Sequence, residues 1–455
     1  MRKLFFLMTA LVISATMAAE DHVMAATKSG QKADGESAPA ALSLSLKEAQ
    51  DYAVQQNRSL KNASLAVQEA YAARWQTIAS MLPQVDGSYS YSNYLGYTAS
   101  MSMPTGMPAP NDTRTIDINM PNVGALGVTA SVGINGQGIV GALLNNIAIE
   151  MKKISLEQSE TQLRGSVMSA YVSVLALQSI TELLDSSLVN IQDLEMMTQH
   201  AVEAGAAEQT SADQIRVRVN TLKNSINAQK RTIELAINSL KVLLDVPVET
   251  ELILTENIDE VLSPDRVMTL LSENFSVENN LNYQLLQKQV ELANRNVHMA
   301  GWAYGPTVAL AYSYTDQHYY GEGGMRMTPP NVIQVSVKMP LWSSGKRAAG
   351  VVEKKIAYEE AKNTLSETTD NLAIQYRQLC FDLTNAYETY LNEKDNIEVA
   401  KRVFASATNK YKYGASSNME LTNASNDLIN AQSSYVQAML TLVNAQVELE
   451  IFLNN

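Results

Sequence analysis

The sequence predicts a mainly α-helical, internally duplicated chain in which long coiled-coil helices are joined to four β-strands of membrane-crossing length. Three observations carry this prediction. After Gly414 a run of seam positions falls on Leu421, Ala424, Leu428, Ala431, Tyr435, Ala438, Leu442, Ala445, Leu449 and Phe452, with steps alternating 3 and 4. The same steps occur 209 residues earlier, after Gly205, on Ala212, Ile215, Val219, Leu222, Ile226, Gln229, Ile233, Ala236, Leu240 and Leu243. One seam written twice at a fixed offset marks an internal repeat. Finally, each repeat contains two segments that alternate apolar with small or polar residues, the period of a strand with two unlike faces.

Taken in order, the first residues MRKLFFLMTALVISATMAA have a basic start, a short apolar run and small residues, the pattern of a signal peptide assigned here to residues 1–25. Residues 20–42 lack a period and read as a flexible lead-in. Leu46 to Met81 reads as one helix, with Ala49, Ala53, Leu60, Ala63, Val67 and Ala70 on one face, stopped by Pro83. In VDGSYSYSNY, Val85, Gly87, Tyr89 and Tyr91 alternate with Asp86 and serines, which predicts a strand. Residues 96–121 read as a loop, and a second strand follows from Asn122 to Ile134. A long helix then runs to about Val202, where Gly205 ends it, and the first heptad helix continues to Leu244. The segment DVPVETELILTENIDEVLSPD shows no helical period and links the halves.

The second half repeats this order. A helix from about Asp265 to Trp302 precedes a strand opened by Pro306, a Gly-rich loop near 320–330, and a strand in which Ile333, Val335, Val337, Met339 and Leu341 alternate with Gln334, Ser336 and Lys338. A long helix to about Tyr413 and the terminal heptad helix complete it. The expected domains are a first repeat at 26–245, a linker at 246–264 and a second repeat at 265–455. Landmark spacings agree: Pro83 precedes Tyr89 and Tyr91 by 6 and 8 residues, and Pro306 precedes Tyr312 and Tyr314 by 6 and 8.

Composition excludes several classes. Over 455 residues the formal net charge is −13, which disfavours nucleic acid as a partner. The single cysteine, Cys380, gives neither a disulfide framework nor a lipid-anchor site near the leader. Beyond the leader no run of eighteen consecutive apolar residues occurs, so a membrane span is expected as a β-barrel. His22, His200, His298 and His318 stand apart from any catalytic or metal-ligand spacing, so neither an enzyme nor a cofactor is expected.

Four strands cannot close a barrel, and an open edge in lipid leaves backbone groups unpaired at several kcal/mol each. An oligomer follows: two chains supply eight strands around a filled interior, three supply twelve with room for a pore. The terminal heptad helix carries a second stripe, Ile429, Val436, Leu440, Val443 and Val447, which places it between two neighbours.

The duplication, the passage MPLWSSGK at Met339 to Lys346, the link LLDVP at Leu243 to Pro247 and the tip YKYGASSNMEL at Tyr411 to Leu421 resemble the TolC family of outer-membrane efflux proteins. The resemblance implies a homotrimer with a twelve-stranded barrel in outer-membrane lipid and a helical α-barrel through the periplasm. It also implies partners, a periplasmic adaptor and an inner-membrane pump, and a role as passive exit duct. The turns at Gly205, Ala206, Gly414 and Ala415 correspond to adaptor-docking tips. Glu420 matches an acidic lumen ring and Tyr411 a gate tyrosine, whereas Ser416, Asn423 and Ser211 depart from charged positions in the family. A type I protein-secretion duct is the alternative within transport, and an exported coiled-coil adhesin the alternative outside it.

The residues also have plainer readings. Glu420 suits the first turn of any helix, where the dipole favours acids. Gly205 and Gly414 suit helix ends in the left-handed conformation. Trp302 and Trp342 fit an interfacial aromatic belt or ordinary helix-end packing. Met101, Met103, Met107, Met120, Met325 and Met327 are better explained by loop composition than by soft-metal binding.

Overall fold

The computed structural model describes residues 41–104, 113–205, 207–258, 264–320 and 329–453. The leader, Ala206, Met107, Met325 and Met327 lie outside the described residues. In chain order the elements are β1 (Ala41–Leu44), α1 (Leu46–Gln56), α2 (Arg58–Ala79), β2 (Gln84–Ser92), β3 (Thr98–Pro104), β4 (Thr113–Asn119), β5 (Asn122–Ile134), α3 (Gly136–Glu203), α4 (Gln209–Leu244), β6 (Glu251–Leu254), α5 (Pro264–Ser272), α6 (Leu281–Gly301), β7 (Thr307–Tyr320), β8 (Asn331–Lys338), α7 (Lys346–Lys412) and α8 (Asn418–Leu453).

Glu69–Glu150 and Lys288–Lys362 form one compact unit, built on an antiparallel sheet of order β2-β5-β7-β8. Its register sorts the side chains by polarity. Val308, Leu310 and Tyr312 of β7 pair with Val337, Val335 and Ile333 of β8 on one side and with Ile134, Val132 and Ala130 of β5 on the other. Val85 and Tyr89 of β2 continue that face through Ala130 and Leu126. Because successive residues point to opposite faces, the other face collects Ser88, Thr129, Ser313, Gln334 and Lys338. The apolar face is bare: Leu126, Leu310, Ile333, Val335 and Val337 are all exposed. The segment read as a loop over 96–121 instead contains the hairpin β3-β4, closed in part by Ser100 donating to Asp117 at 2.8 Å. Thr113 to Asn119 has a period of two, a signal hidden by the Gly and Pro between the strands. The last sheet strand ends at Lys338, short of the expected Leu341, because Pro340 lacks the N–H a ladder needs. Arg347 then holds the passage into α7, donating to the Pro340 carbonyl at 2.6 Å and to Ser343 Oγ at 2.9 Å.

The described residues of Met1–Gln68, Met151–Gln287 and Asn363–Asn455 form the second unit, made of packed helices. Seam residues Leu240, Leu442 and Leu449 are buried in one cluster with Leu244, Val167, Tyr171 and Leu383. The second stripe of α8 is buried as well, through Val436, Val443 and Val447. Gly165 lets α3 and α8 approach, since a Cβ there would come within 2.5 Å of Ile451. Two helices, α3 and α8, contain eighteen-residue stretches apolar enough to cross a bilayer by composition; about half of each stretch, 50% and 56%, is buried within the chain. They read as packed core helices, and their hydrophobicity is spent on the seams.

Two expected helices are broken. The stretch 46–81 divides at Asn57, whose backbone leaves the helix (φ −57°, ψ 126°). Its side-chain oxygen accepts from the N–H groups of Ser59 and Leu60, at 2.8 and 3.2 Å, and its amide donates to the Leu243 carbonyl at 2.8 Å. The stretch 265–302 divides into α5, a short 3₁₀ turn at Val277–Asn279, and α6. There Asn280 accepts from Asn282 and Tyr283 and donates to the Phe452 carbonyl at 2.9 Å. In both halves one buried asparagine starts a helix and ties it to the last turn of a heptad helix. A further strand pair was not expected: β1, at the edge of the lead-in, and β6, within the linker, run parallel. Tyr171 donates to the Leu44 carbonyl at 3.0 Å, seating this pair on α3.

Candidate functional site

The tips of the two helical hairpins hold the residues singled out from the sequence. Gly205 and Gly414 both adopt positive φ, +72° and +70°, a conformation that costs an L-residue strain. Neither would bring a Cβ within 4 Å of another atom, so backbone conformation alone selects glycine there. After Gly414 the Ala415 N–H donates to the Lys410 carbonyl at 2.8 Å, a six-to-one closure of the helix end. Gly205, Gly414 and Ala415 are exposed.

Ser417 begins α8, its Oγ accepting the Glu420 N–H at 3.2 Å. Ser417 and Glu420 thus have the S-x-x-E spacing of a capping box, yet only half of the box is built. The complete version occurs at α1, where the Glu48 carboxylate returns to the Ser45 N–H at 2.9 Å and the hydrogen bonds hold Glu48 below the usual carboxylate range. Glu420 turns away instead. It accepts from Ser416 Oγ at 2.8 Å and lies 3.8 Å from Lys410 Nζ, with its side chain about half exposed. Tyr411 is partly buried against the cluster of Leu194, Ile215, Leu222, Phe404, Leu421 and Leu428. The structure therefore joins Glu420 to Ser416 and Lys410, and leaves Tyr411 in the adjoining apolar packing.

Sequence reasoning missed Arg218. It lies one position outside the α4 seam and donates to Asn426 Oδ1 of α8 at 2.9 Å, tying the two tips. Burial lowers its pKa from the ordinary arginine value, and among the described residues no carboxylate is its hydrogen-bond partner. Beside it is a hollow of about 10 Å³, lined by Ile191, Phe404, Leu421 and Ser425 among others, room for one water at most. A charge flanking a seam on Arg218 was the available signal. In the same unit a hollow of about 860 Å³ is lined by Ser155, Gln158 and Gln375 beside Leu60, Leu379 and Phe452, and includes both helix-breaking asparagines.

In the sheet unit Trp302 and Trp342 separate. Trp302 packs on the start of α3, its ring filling the space a Cβ on Gly136 would need; Trp342 is 86% exposed. Tyr91 and Tyr320 meet edge to face at 5.8 Å, and His318 lies 4.7 Å from Tyr320.

Residues 276–455 match the model of the family described as Outer membrane efflux protein. The match lies within the second half of the chain. Across most of its length the chain is 22% identical, over 420 residues, to the probable efflux pump outer membrane protein TtgC of Pseudomonas putida, covering 86% of this chain and 79% of that one. The fold agrees with those of solved outer-membrane channels and proteins. CusC superposes with a TM-score of 0.71 at 16% identity, covering 90% of this chain and 91% of the other. VceC of Vibrio cholerae gives 0.67 at 14% identity, with 90% and 96% covered.

Proposed function

We propose that this chain is the outer-membrane exit duct of a tripartite efflux pump in a Gram-negative bacterium, passing substrates delivered by a periplasmic adaptor and an inner-membrane pump. It is a transport channel and performs no catalysis. The observation that carries the reading is the β2-β5-β7-β8 sheet, apolar and bare on one face and small or polar on the other. Water does not favour such a bare face, whereas lipid does.

On this reading the chain is a duplicated one, with a first repeat at 26–245, a linker at 246–264 and a second repeat at 265–455. The matching lengths of α3 and α7, 68 and 67 residues, and of α4 and α8, 36 each, support the duplication. Both outer strands of the sheet, β2 and β8, have one unpaired edge among the described residues. Three copies close those edges into a twelve-stranded barrel, and their helices into an α-barrel tunnel. Trp302 and Trp342 then mark the periplasmic membrane interface. Gly205, Ala206, Gly414 and Ala415 form the adaptor-docking tips, and Glu420 with Tyr411 forms the gate and acidic lumen ring. The half exposure of the Glu420 side chain at the tip supports this role.

Envelope fractionation tests the location: the account expects the full chain with outer-membrane markers and at trimer mass in mild detergent. A water-soluble monomer would favour the coiled-coil adhesin reading. Bulky substitutions at Ala206 or Ala415 should abolish copurification with the adaptor while leaving the trimer intact, and unchanged copurification would remove the tips from the docking role.

A further inference from the structure

The hollow of about 860 Å³ lies within the helical unit, where the helix breaks at Asn57 and Asn280 open the wall beside α3. Its lining is sorted by depth. Leu60, Leu281, Leu379 and Phe452 are buried and form an apolar floor. Ser59, Ser159, Gln162, Asn282 and Gln375 are exposed and form a rim of hydroxyls and amides. On α3 the spacing of Ser155, Ser159, Gln162 and Ser166 puts them on one side, while Val167, Met168 and Tyr171 turn into the core on the other.

The charge in this lining is one-sided. Glu448 of α8 is the ionisable residue that lines the hollow, and no lysine or arginine accompanies it. The neighbouring acids are engaged elsewhere, Glu450 with Arg266 at 2.8 Å and Glu160 with Arg164 at 3.2 Å. Glu448 is exposed, and the side chains of Gln162, Gln375 and Glu448 have no hydrogen bond or ion pair among the described residues. Gln158 donates to Asn282 at 2.8 Å, which braces the rim across two helices. A neutral track leads to the carboxylate: Asn430, Ser434, Gln437, Thr441 and Asn444 are exposed on α8 at steps of 4, 3, 4 and 3, and Glu448 follows four residues on.

We propose that this hollow binds an amphipathic organic monocation, with its apolar body on the leucine and phenylalanine floor and its charged nitrogen beside Glu448. The volume suits a drug-sized molecule, and an apolar base with a few polar groups at its edge is the usual anatomy of such a site. Burial of the apolar body supplies adhesion, and the carboxylate selects the sign of the charge. Gln162 and Gln375 offer both donors and acceptors to whatever polar groups the molecule carries. An anionic lipid does not fit, because its phosphate would meet a carboxylate with no base beside it. The inference goes beyond the duct reading and does not depend on it, since the hollow is built within one chain.

The test follows the fluorescence anisotropy of rhodamine 6G, an organic monocation, titrated with the purified full chain in a neutral detergent, with empty micelles as the baseline. The expected result is saturable binding at one dye per chain and no binding of anionic fluorescein. Glu448→Gln should weaken binding about fivefold, as the loss of one exposed charge pair does, and high salt should weaken it in the unaltered chain. Gln162→Trp fills the hollow from an exposed helix position and should abolish binding, whereas Gln437→Trp, on the track but outside the hollow, should leave it unchanged. Circular-dichroism melts check that each variant folds. Equal binding in the unaltered chain, Glu448→Gln and Gln162→Trp would be partition into detergent and would overturn the site, as would the absence of saturable binding. A chain that conducts in a bilayer but fails to bind the dye loses the hollow and keeps the duct; one that binds as expected without conducting keeps the hollow and loses the duct.

Discussion

The two heptad helices share length and seam but differ in charge. Over 36 residues each, α4 carries six basic and two acidic residues, whereas α8 carries four acidic and no basic residues. Both seams bury their leucines alike, with Leu222 2% and Leu428 5% exposed. A seam constrains the residues facing the partner helix and leaves the outward ones free, so two copies of one pattern can acquire different surfaces. The basic residues of α4 and the acidic residues of α8 are where the two helices differ most.

Four predictions probe that contrast, beginning with the largest effect. Leu222→Ala and Leu428→Ala should each destabilise by about 3 kcal/mol in denaturant unfolding followed by circular dichroism. A large inequality between them would show that the two seams are not equivalent. Asn57→Ala and Asn280→Ala should each cost about 2 kcal/mol, since the carbonyls of Leu243 and Phe452 lose buried donors. Loss at only one site would break the symmetry of the two helix-breaking asparagines.

Ser45→Ala should cost about 1 kcal/mol, and Ser417→Ala about half of that, because the reciprocal carboxylate bond exists only at Ser45. Equal costs would show that Glu420 completes its box in solution. The smallest effect concerns pH. The Glu48 carboxyl is lowered from its ordinary 4.5, so its stabilising contribution is present above that value and fades as pH falls through its folded pKa. Glu48→Gln should flatten that part of an acid-unfolding curve, and an unchanged curve would remove Glu48 from the cap.

Much of the fold was legible because it rests on period. Seams of 3 and 4 placed α4 and α8 within a residue or two of their ends, and alternation found all four strands of the β2-β5-β7-β8 sheet. What stayed hidden rests on single side chains or on pairing between distant segments. Asn57 sits in an otherwise helical run, and its break depends on the Leu243 carbonyl that sequence order does not bring near. The parallel pair β1-β6 joins four-residue segments over 200 residues apart, too short to show a pattern. The tip glycines were readable because positive φ nearly demands glycine. Arg218 and the turn of Glu420 toward Ser416 and Lys410 were not, since charge alone does not say which neighbour it meets.

The central claim is that the chain forms a duct, and single-channel recording of the purified full chain in a planar bilayer tests it most directly. The account predicts discrete, cation-selective conductance steps, with selectivity reduced in Glu420→Ala. A chain that inserts but never conducts would contradict the duct, and unchanged selectivity in Glu420→Ala would remove the acidic ring from it.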